Sequence, residues 1–246
     1  LSSLDILTTL YFHVMRVNPD APQAPERDRF VLSKGHCTPA LYSTLAQRGF
    51  FPLEELKQFR RIEGHMSGHA EMRHVKGVDM STGRLGQGIS AAVGMALAGK
   101  ADGRDYRVYA LLGDGEIEEG QVWEAAMAAA KYRLDNLCAV VDVNGLQIDG
   151  ATADVMPSEP LDQKFEAFNW NVIRVDGHDY AALAEAFAAA AACKGKPTVL
   201  LARTVKGKGV SFMEGDYGWH GKAPNAEQYE KARAELAARV AELEGK

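Results

Sequence analysis

The sequence of 246 residues lacks the features that mark several large classes of protein. It has no apolar run of about 20 residues, the length that crosses a bilayer as a helix, which argues against a membrane partner. Its formal net charge is −5, and it has no extended basic cluster, only short stretches such as Lys206-Gly207-Lys208, which argues against binding nucleic acid. It has only three cysteines, Cys37, Cys138 and Cys193. Their odd number and the absence of metal-ligand spacing suit reduced thiols in a cytoplasmic protein.

The sequence does contain an alternation of short apolar runs and alanine-rich segments. The apolar runs predict buried strands at 107–112, 137–141, 170–175 and 197–204. Helices are predicted at 53–62, 88–98, 121–132 and 179–193, with a terminal helix opening at Asn225. This alternation is typical of an α/β fold with a mostly parallel central sheet flanked by helices. The irregular, histidine- and glycine-rich stretch at 62–83 predicts a functional loop.

A glycine-rich acidic segment, Gly113-Asp114-Gly115, follows the predicted strand at 107–112. Asn144 follows the next predicted strand, so both side chains lie at the carboxyl edge of the sheet if the two strands are neighbours. One carboxylate and one amide oxygen suit Mg²⁺, which takes further ligands from water and phosphate. The glycines leave room for a phosphate against the backbone. Because a lone Gly-Asp-Gly is more often a simple turn, this interpretation needs support from elsewhere in the chain.

Four further segments give that support, and with the Gly-Asp-Gly segment they resemble the amino-terminal half of transketolase. They are RDRFVLSKGH at 27–36, GHAE at 68–71, STGRLGQG at 81–88 and WHGKAP at 219–224. They look like motifs of that family and follow its order along nearly the whole chain. One difference is Arg84, which stands where the family has Pro or Ser.

The resemblance implies thiamine diphosphate as cofactor, held through Mg²⁺, for which Ca²⁺ or Mn²⁺ can substitute. The implied metal ligands are Asp114, Asn144 and the main-chain carbonyl of Leu146. The implied cofactor-binding residues are His36, Gly83, Leu85, Gly113, Asp114, Gly115, Glu116, Asn144, Ile148 and His220. Among them, Leu85 and Ile148 match apolar positions that flank the thiazolium ring.

Four residues are implied as catalytic: His69, His36, His220 and Glu119. His69 matches the histidine that contacts the donor ketose and helps to move its hydroxyl proton, a task that suits imidazole because its pKa is near working pH. His36 and His220 match histidines near the diphosphate and the substrate channel. Glu119 matches a glutamate that reaches across the dimer interface. On the residues alone, a lone histidine in a glycine-rich loop is more often an exposed or structurally hydrogen-bonded residue, and the place of these three inside matched motifs reverses that expectation.

A full transketolase polypeptide resembles three such domains in series, of which this chain matches the first. We therefore expect residues 1–246 to form a single diphosphate-binding domain, with the pyrimidine-binding and C-terminal domains on a separate partner chain. The expected assembly is an α2β2 heterotetramer. The expected activity is transfer of a two-carbon ketol unit from a ketose or ketose phosphate to an aldose or aldose phosphate, as in the pentose phosphate pathway.

Two alternatives stay open from the sequence. One is another thiamine diphosphate enzyme, such as a 2-oxoacid dehydrogenase first-component subunit or a protein like deoxyxylulose phosphate synthase. The other is a non-catalytic subunit that binds Mg²⁺ and a diphosphate. Asn144 and the three matched histidines disfavour the second alternative, because a regulatory protein has no need of them.

Overall fold

A computed structural model describes residues 1–245, and its centre is a parallel sheet of five strands. The strands are β1 (Arg29–Leu32), β2 (Val108–Gly113), β3 (Leu137–Val143), β6 (Asn171–Asp176) and β7 (Thr198–Arg203), in the spatial order β1-β2-β3-β7-β6. Two further short strands, β4 (Leu146–Gln147) and β5 (Gly150–Ala151), form an antiparallel hairpin directly after β3. The predicted α/β fold with a mostly parallel sheet is confirmed.

Eight helices accompany the sheet in the described residues. They are α1 (Leu4–Thr9, continued by a π-helical turn Leu10–Val14), α2 (Thr38–Arg48), α3 (Gly88–Ala101), α4 (Gly120–Lys131), α5 (Thr152–Val155), α6 (Leu161–Ala167), α7 (Tyr180–Ala192) and α8 (Ala226–Glu244). The capping box predicted at Asn225 is present, with Gln228 as its second member.

Each strand of the sheet contributes side chains to two separate cores, because successive residues of a strand point to opposite faces. Leu111 and Val140 enter the core that α1, α2 and α7 cover. Leu112 and Val141 enter the core that α3, α4 and α6 cover. Burial on both faces explains why these strands are continuous apolar runs in the sequence.

Two sequence predictions differ from the structure. The helix predicted at 53–62 is only a short 3₁₀ helix, Leu53–Gln58, and the chain turns at Arg60, whose φ is 54°. That segment buries none of its side chains, so no apolar face extends the helix. Strand β1 was not predicted, because its four residues give too short a run for a periodicity.

Candidate diphosphate and metal site

The carboxyl ends of β2 and β3 bring Asp114 and Asn144 together. The two strands are paired with Gly113 opposite Asp142, so the residues that follow lie at one edge of the sheet. The Asp114 carboxylate accepts a backbone N–H from Gly115 at 2.9 Å and another from Gly145 at 2.5 Å. These bonds hold the loop of Asp114 against the loop of Asn144. The predicted juxtaposition of the two side chains is confirmed.

The oxygens at this edge have the chemistry of a hard-cation site. Asp114 is buried, and burial raises its pKa, because a charged carboxylate is costly away from water. The Asn144 amide oxygen accepts the Leu146 N–H at 3.2 Å, which places the start of the β4–β5 hairpin beside it. In residues 1–245 no group of three or more His, Cys, Asp and Glu side chains is placed to hold a metal. A cation here would therefore use one carboxylate together with amide and carbonyl oxygens, the set that suits Mg²⁺ or Ca²⁺.

A buried ion pair between Asp142 and Lys34 lies directly beneath this edge. Lys34 Nζ is 2.5 Å from an oxygen of Asp142, and that carboxylate also accepts the hydroxyls of Ser2, Ser3 and Thr204. Burial alone would lower the pKa of Lys34, but the charge of Asp142 outweighs it and raises the pKa. Asp142 responds in the opposite direction. Its burial would raise its pKa, and Lys34 together with the hydroxyls lowers it.

This pair gives a stability prediction. Lys34→Met should lower the free energy of unfolding by about 3–5 kcal/mol, because it leaves Asp142 buried without its cation. The measurement is urea unfolding of the purified chain at pH 7. The matched control is Lys100→Met, which removes a partly exposed pair with Asp135 and should cost less than about 1 kcal/mol. Equal costs for the two variants would contradict the prediction.

The lowered pKa of Asp142 also determines how the loss of unfolding free energy in Lys34→Met depends on pH. A carboxyl with a lowered folded pKa stabilises the fold above its unfolded pKa of about 3.9 and loses that contribution as pH falls further. The Lys34→Met penalty should therefore be largest near neutral pH and shrink as pH falls below about 4.

A cluster of basic side chains faces Asp114 across the edge of the sheet. Lys206 Nζ lies 3.0 Å from His220 Nδ1, and the rings of His220 and His36 are 5.0 Å apart between centroids. The basic cluster is defined by these residues, Lys206, His220 and His36, together with Lys34. It brings the amino-terminal motif at 27–36 together with the distant motif at 219–224.

Three members of this basic cluster, Lys206, His220 and His36, have lowered pKa values, whereas Lys34 is already paired with Asp142. Burial, followed by the charge of Lys34, lowers the pKa of Lys206. Burial and the charge of Lys206 lower the pKa of His220. Burial and the neighbouring cations, Lys34 first, lower the pKa of His36 to about 4. An anion placed among these groups would oppose each shift, so the basic cluster is built to accept negative charge.

His69 lies in a different part of the site, on the wall of an open cleft of about 330 Å³. The 62–83 loop is held against α2 here: the carbonyl of His69 accepts the Tyr42 hydroxyl at 2.9 Å. A Cβ added to Gly83 would meet the His69 ring at 3.4 Å, so the ring lies against that glycine. Arg84 lies on the same cleft wall. The cleft is therefore a place where a substrate would meet an imidazole and a guanidinium.

Glu116, predicted as a cofactor contact, lies beneath the loops rather than facing open space. Its carboxylate accepts the Ser33 hydroxyl at 2.6 Å and the backbone N–H groups of Gly86 at 2.8 Å and Gly113 at 3.1 Å. It thus joins three of the matched motifs and orients their backbone. A direct cofactor contact of its side chain stays a prediction.

The remaining predicted residues lie around this site. Glu119 is exposed at the N-cap of α4, with its side chain against Gly86. Ile148 is 65% exposed at the β4–β5 turn, and Leu85 is half-buried. Their roles toward the thiazolium ring or a partner chain stay predictions.

Three residues of the site were not predicted from the sequence as members of it. Lys34 lies in the motif at 27–36 and Asp142 lies within β3, and the signal that marks them is a charged residue within or just after an otherwise apolar strand. Lys206 lies in a glycine-rich segment that follows β7, where polar residues at a strand's carboxyl end indicate a ligand site.

Comparison with known proteins agrees with this geometry. Residues 1–242 match the family described as transketolase, thiamine diphosphate binding domain. The chain belongs to the transketolase family. This confirms both the resemblance stated from the motifs and thiamine diphosphate as the ligand class of the domain.

Several relatives of the family are similar over most of the chain. It is 48% identical to the 6-deoxy-6-sulfo-D-fructose transketolase subunit SqwG of a Clostridium species, covering 96% of this chain and 86% of that protein. It is 46% identical to an apulose-4-phosphate transketolase subunit of Phocaeicola vulgatus, covering 99% and 86%. Human transketolase is 44% identical over 90% of this chain, which spans only 35% of the human protein.

Solved transketolase structures have the same fold. That of Campylobacter jejuni superimposes with a TM-score of 0.89 at 34% identity, covering 96% of this chain and 38% of that one. The chain thus corresponds to somewhat over a third of the full-length transketolases it matches. Across residues 1–245, the helices fall short of the length and apolar character that crossing a membrane needs.

Proposed function

We propose that this chain is the diphosphate-binding subunit of a two-chain transketolase, which transfers a two-carbon ketol unit from a ketose to an aldose. The observation that carries the proposal is the basic cluster beside Asp114 and Asn144, in which Lys206 makes no ion pair within residues 1–245. An anion-binding cluster beside a hard-cation site is the arrangement that a metal-bound diphosphate requires. The names of two relatives, each a transketolase subunit of which this chain spans 86%, support the two-chain organisation.

The residues present fit the cofactor and its metal. Asp114, Asn144 and the Leu146 carbonyl would hold Mg²⁺, or Ca²⁺ or Mn²⁺ in its place. The basic cluster would hold the diphosphate oxygens. A Cβ added to Gly113 would make only an ordinary contact, with Lys34 Cδ at 3.5 Å, so the strand end is not tightly packed. Bound thiamine diphosphate would supply the electron sink for cleaving the carbon–carbon bond next to a ketose carbonyl.

The protein's own contribution to the reaction is orientation and proton transfer. His69 would take the donor's hydroxyl proton at a ring nitrogen and return it in the reverse direction, with its ring held against Gly83. The segment from Lys206 to His220 would help to exclude water once substrate is in place. Glu119, exposed beside Gly86, would contact the symmetry-related copy of the chain.

The assembly that we propose has residues 1–246 as one domain and a second chain carrying the pyrimidine-binding and C-terminal domains, as an α2β2 heterotetramer in the cytoplasm. To test it, the amino-terminally tagged chain is purified gently from its source and the co-purifying proteins are identified. A stoichiometric partner with a pyrimidine-binding domain, and turnover with a ketose donor, is the expected result. Turnover with pyruvate instead would favour the alternative thiamine diphosphate enzymes, and a chain recovered alone would favour a non-catalytic role.

The substrates that we propose are sugars with an anionic end, such as sugar phosphates of the pentose phosphate pathway type. Arg84 supports this, because it lines the cleft of His69 and makes no ion pair within residues 1–245. Relatives are named for 6-deoxy-6-sulfo-D-fructose and apulose 4-phosphate, which both carry an anionic group.

Arg84→Ser should therefore lower kcat/KM for a ketose phosphate by about 10-fold, the loss of a charge-assisted hydrogen bond, and leave an uncharged ketose unaffected. Steady-state kinetics with both donors measures the ratio. Arg73→Ser is the matched control, since Arg73 is exposed on the same loop but does not line the cleft. If both donors lose activity in parallel, Arg84 does not select the anionic end.

A further inference from the structure

His178 is a largely buried histidine that the site described above does not use. It follows β6 and precedes α7, and its side chain is 13% exposed. Its Nδ1 lies 2.6 Å from a carboxylate oxygen of Asp5 on α1. Its Nε2 accepts the backbone N–H of Val205 at 2.8 Å. The imidazole therefore connects the first helix to the chain just after β7.

These two contacts determine the protonation state of the ring. A backbone N–H can only donate, so Nε2 carries a lone pair and no proton. The ring proton is then on Nδ1, where it is donated to Asp5. Asp5 is itself oriented by the Tyr180 hydroxyl, which donates to its other oxygen at 2.6 Å. The arrangement is a carboxylate that orients a histidine, which in turn orients a backbone group.

The backbone group that His178 holds is next to the basic cluster. Val205 directly precedes Lys206, whose Nζ is 3.0 Å from His220. On the other side of Val205, Thr204 is held by its hydroxyl to Asp142 and by its N–H to the Val143 carbonyl at 3.0 Å. Two consecutive residues immediately before Lys206 are therefore held in place. Thr204 is bonded to Asp142, and Val205 is bonded to His178.

Close packing at the same point leaves little freedom for this segment. A Cβ added to Gly177 would meet the Thr204 methyl at 2.5 Å, so the turn that carries His178 lies directly against the end of β7. Val205 itself is 36% exposed, and its own side chain does little to anchor the segment. The hydrogen bond from its N–H to His178 supplies that anchor.

We propose that His178, oriented by Asp5, is a positioning residue that holds the Val205 peptide so that Lys206 points into the diphosphate site. The inference rests on the proposed function, because it takes Lys206 as a ligand of the cofactor's diphosphate. Removal of a residue that orients a metal ligand through a hydrogen bond typically lowers metal affinity 10- to 100-fold, and we take the same scale for a residue that orients a diphosphate ligand. His178 would thus tune cofactor affinity without touching the cofactor.

The test compares thiamine diphosphate affinity of variants in the purified two-chain complex, measured by calorimetry at saturating Mg²⁺. His178→Ala should raise the Kd about 10-fold, and kcat at saturating cofactor should stay within about 2-fold of wild type. His178→Gln should restore most of the affinity, because its amide can accept from Val205 and donate to Asp5. His178→Asn keeps a donor toward Asp5 but is too short to reach Val205, so it should behave like His178→Ala even if the alanine variant folds poorly.

A double-mutant cycle with Lys206→Ala separates positioning from a general structural role. If His178 acts through Lys206, the double variant His178→Ala/Lys206→Ala should bind no more weakly than Lys206→Ala alone. Additive losses, or wild-type affinity in His178→Ala, would overturn the inference. Tyr180→Phe is the control, since it removes the other Asp5 contact and leaves the Val205 bond in place. A wild-type complex that binds no thiamine diphosphate would instead overturn the proposed function, which distinguishes the two failures.

Discussion

Asp114→Asn should reduce Mg²⁺-dependent binding of thiamine diphosphate at least about 100-fold, a larger loss than removal of an outer residue around a metal causes. The substitution keeps the shape of the side chain and removes the only carboxylate of the proposed metal site. It should cost the fold only about 1–3 kcal/mol, because burial already raises the pKa of Asp114, although the Asn amide can accept only one of the two backbone N–H groups that the carboxylate accepts. Calorimetry over a range of Mg²⁺ concentrations, together with circular dichroism, measures both effects.

The matched control for this experiment is Asp149→Asn. Asp149 is an exposed carboxylate at the turn of the β4–β5 hairpin, close in sequence to the proposed ligands, and has no place among them. Its variant should bind the cofactor with wild-type affinity. If Asp114→Asn also keeps that affinity, the metal site is wrongly assigned.

His69→Ala should lower kcat for ketose cleavage about 100-fold or more, the usual scale for loss of a positioned acid–base group. Cofactor affinity should be unchanged, because His69 lies on the substrate cleft and outside the basic cluster. The carbonyl that accepts the Tyr42 hydroxyl belongs to the main chain and survives the substitution, so the loop should keep its position. Single-turnover kinetics with a ketose donor separates cleavage from product release.

His74→Ala provides the comparison for His69. His74 is an exposed histidine of the same loop and does not line the cleft. Its replacement should change kcat by less than about 2-fold, within the range of a surface substitution. Unimpaired turnover in His69→Ala would exclude the proton-transfer role, and a parallel loss in both variants would indicate that the loop as a whole, rather than one imidazole, was disturbed.

The strands and the proposed metal ligands could be predicted from the sequence because both depend on local patterns. The runs around Leu111 and Val140 are apolar on both faces, and Asp114 and Asn144 follow them at strand ends. The pairing of β2 with β3 then brings the two side chains together, as predicted. The helix predicted at 53–62 was wrong for the converse reason: its composition favours a helix, but none of the residues from Leu53 to Gln58 is fully buried, so tertiary packing does not extend it.

By itself, the sequence determined the fold class and the family, because apolar runs and motif order are properties of neighbouring residues. Only the tertiary structure decided which charges meet. Lys34 and Asp142 pair across 108 positions, and His178 joins Asp5 to the backbone beside Lys206. Those contacts follow from the strand order β1-β2-β3-β7-β6 and from how closely the loops pack at the carboxyl ends. These contacts produce no periodic pattern in the sequence, because the free energy of a buried pair depends on where its partner lies in space.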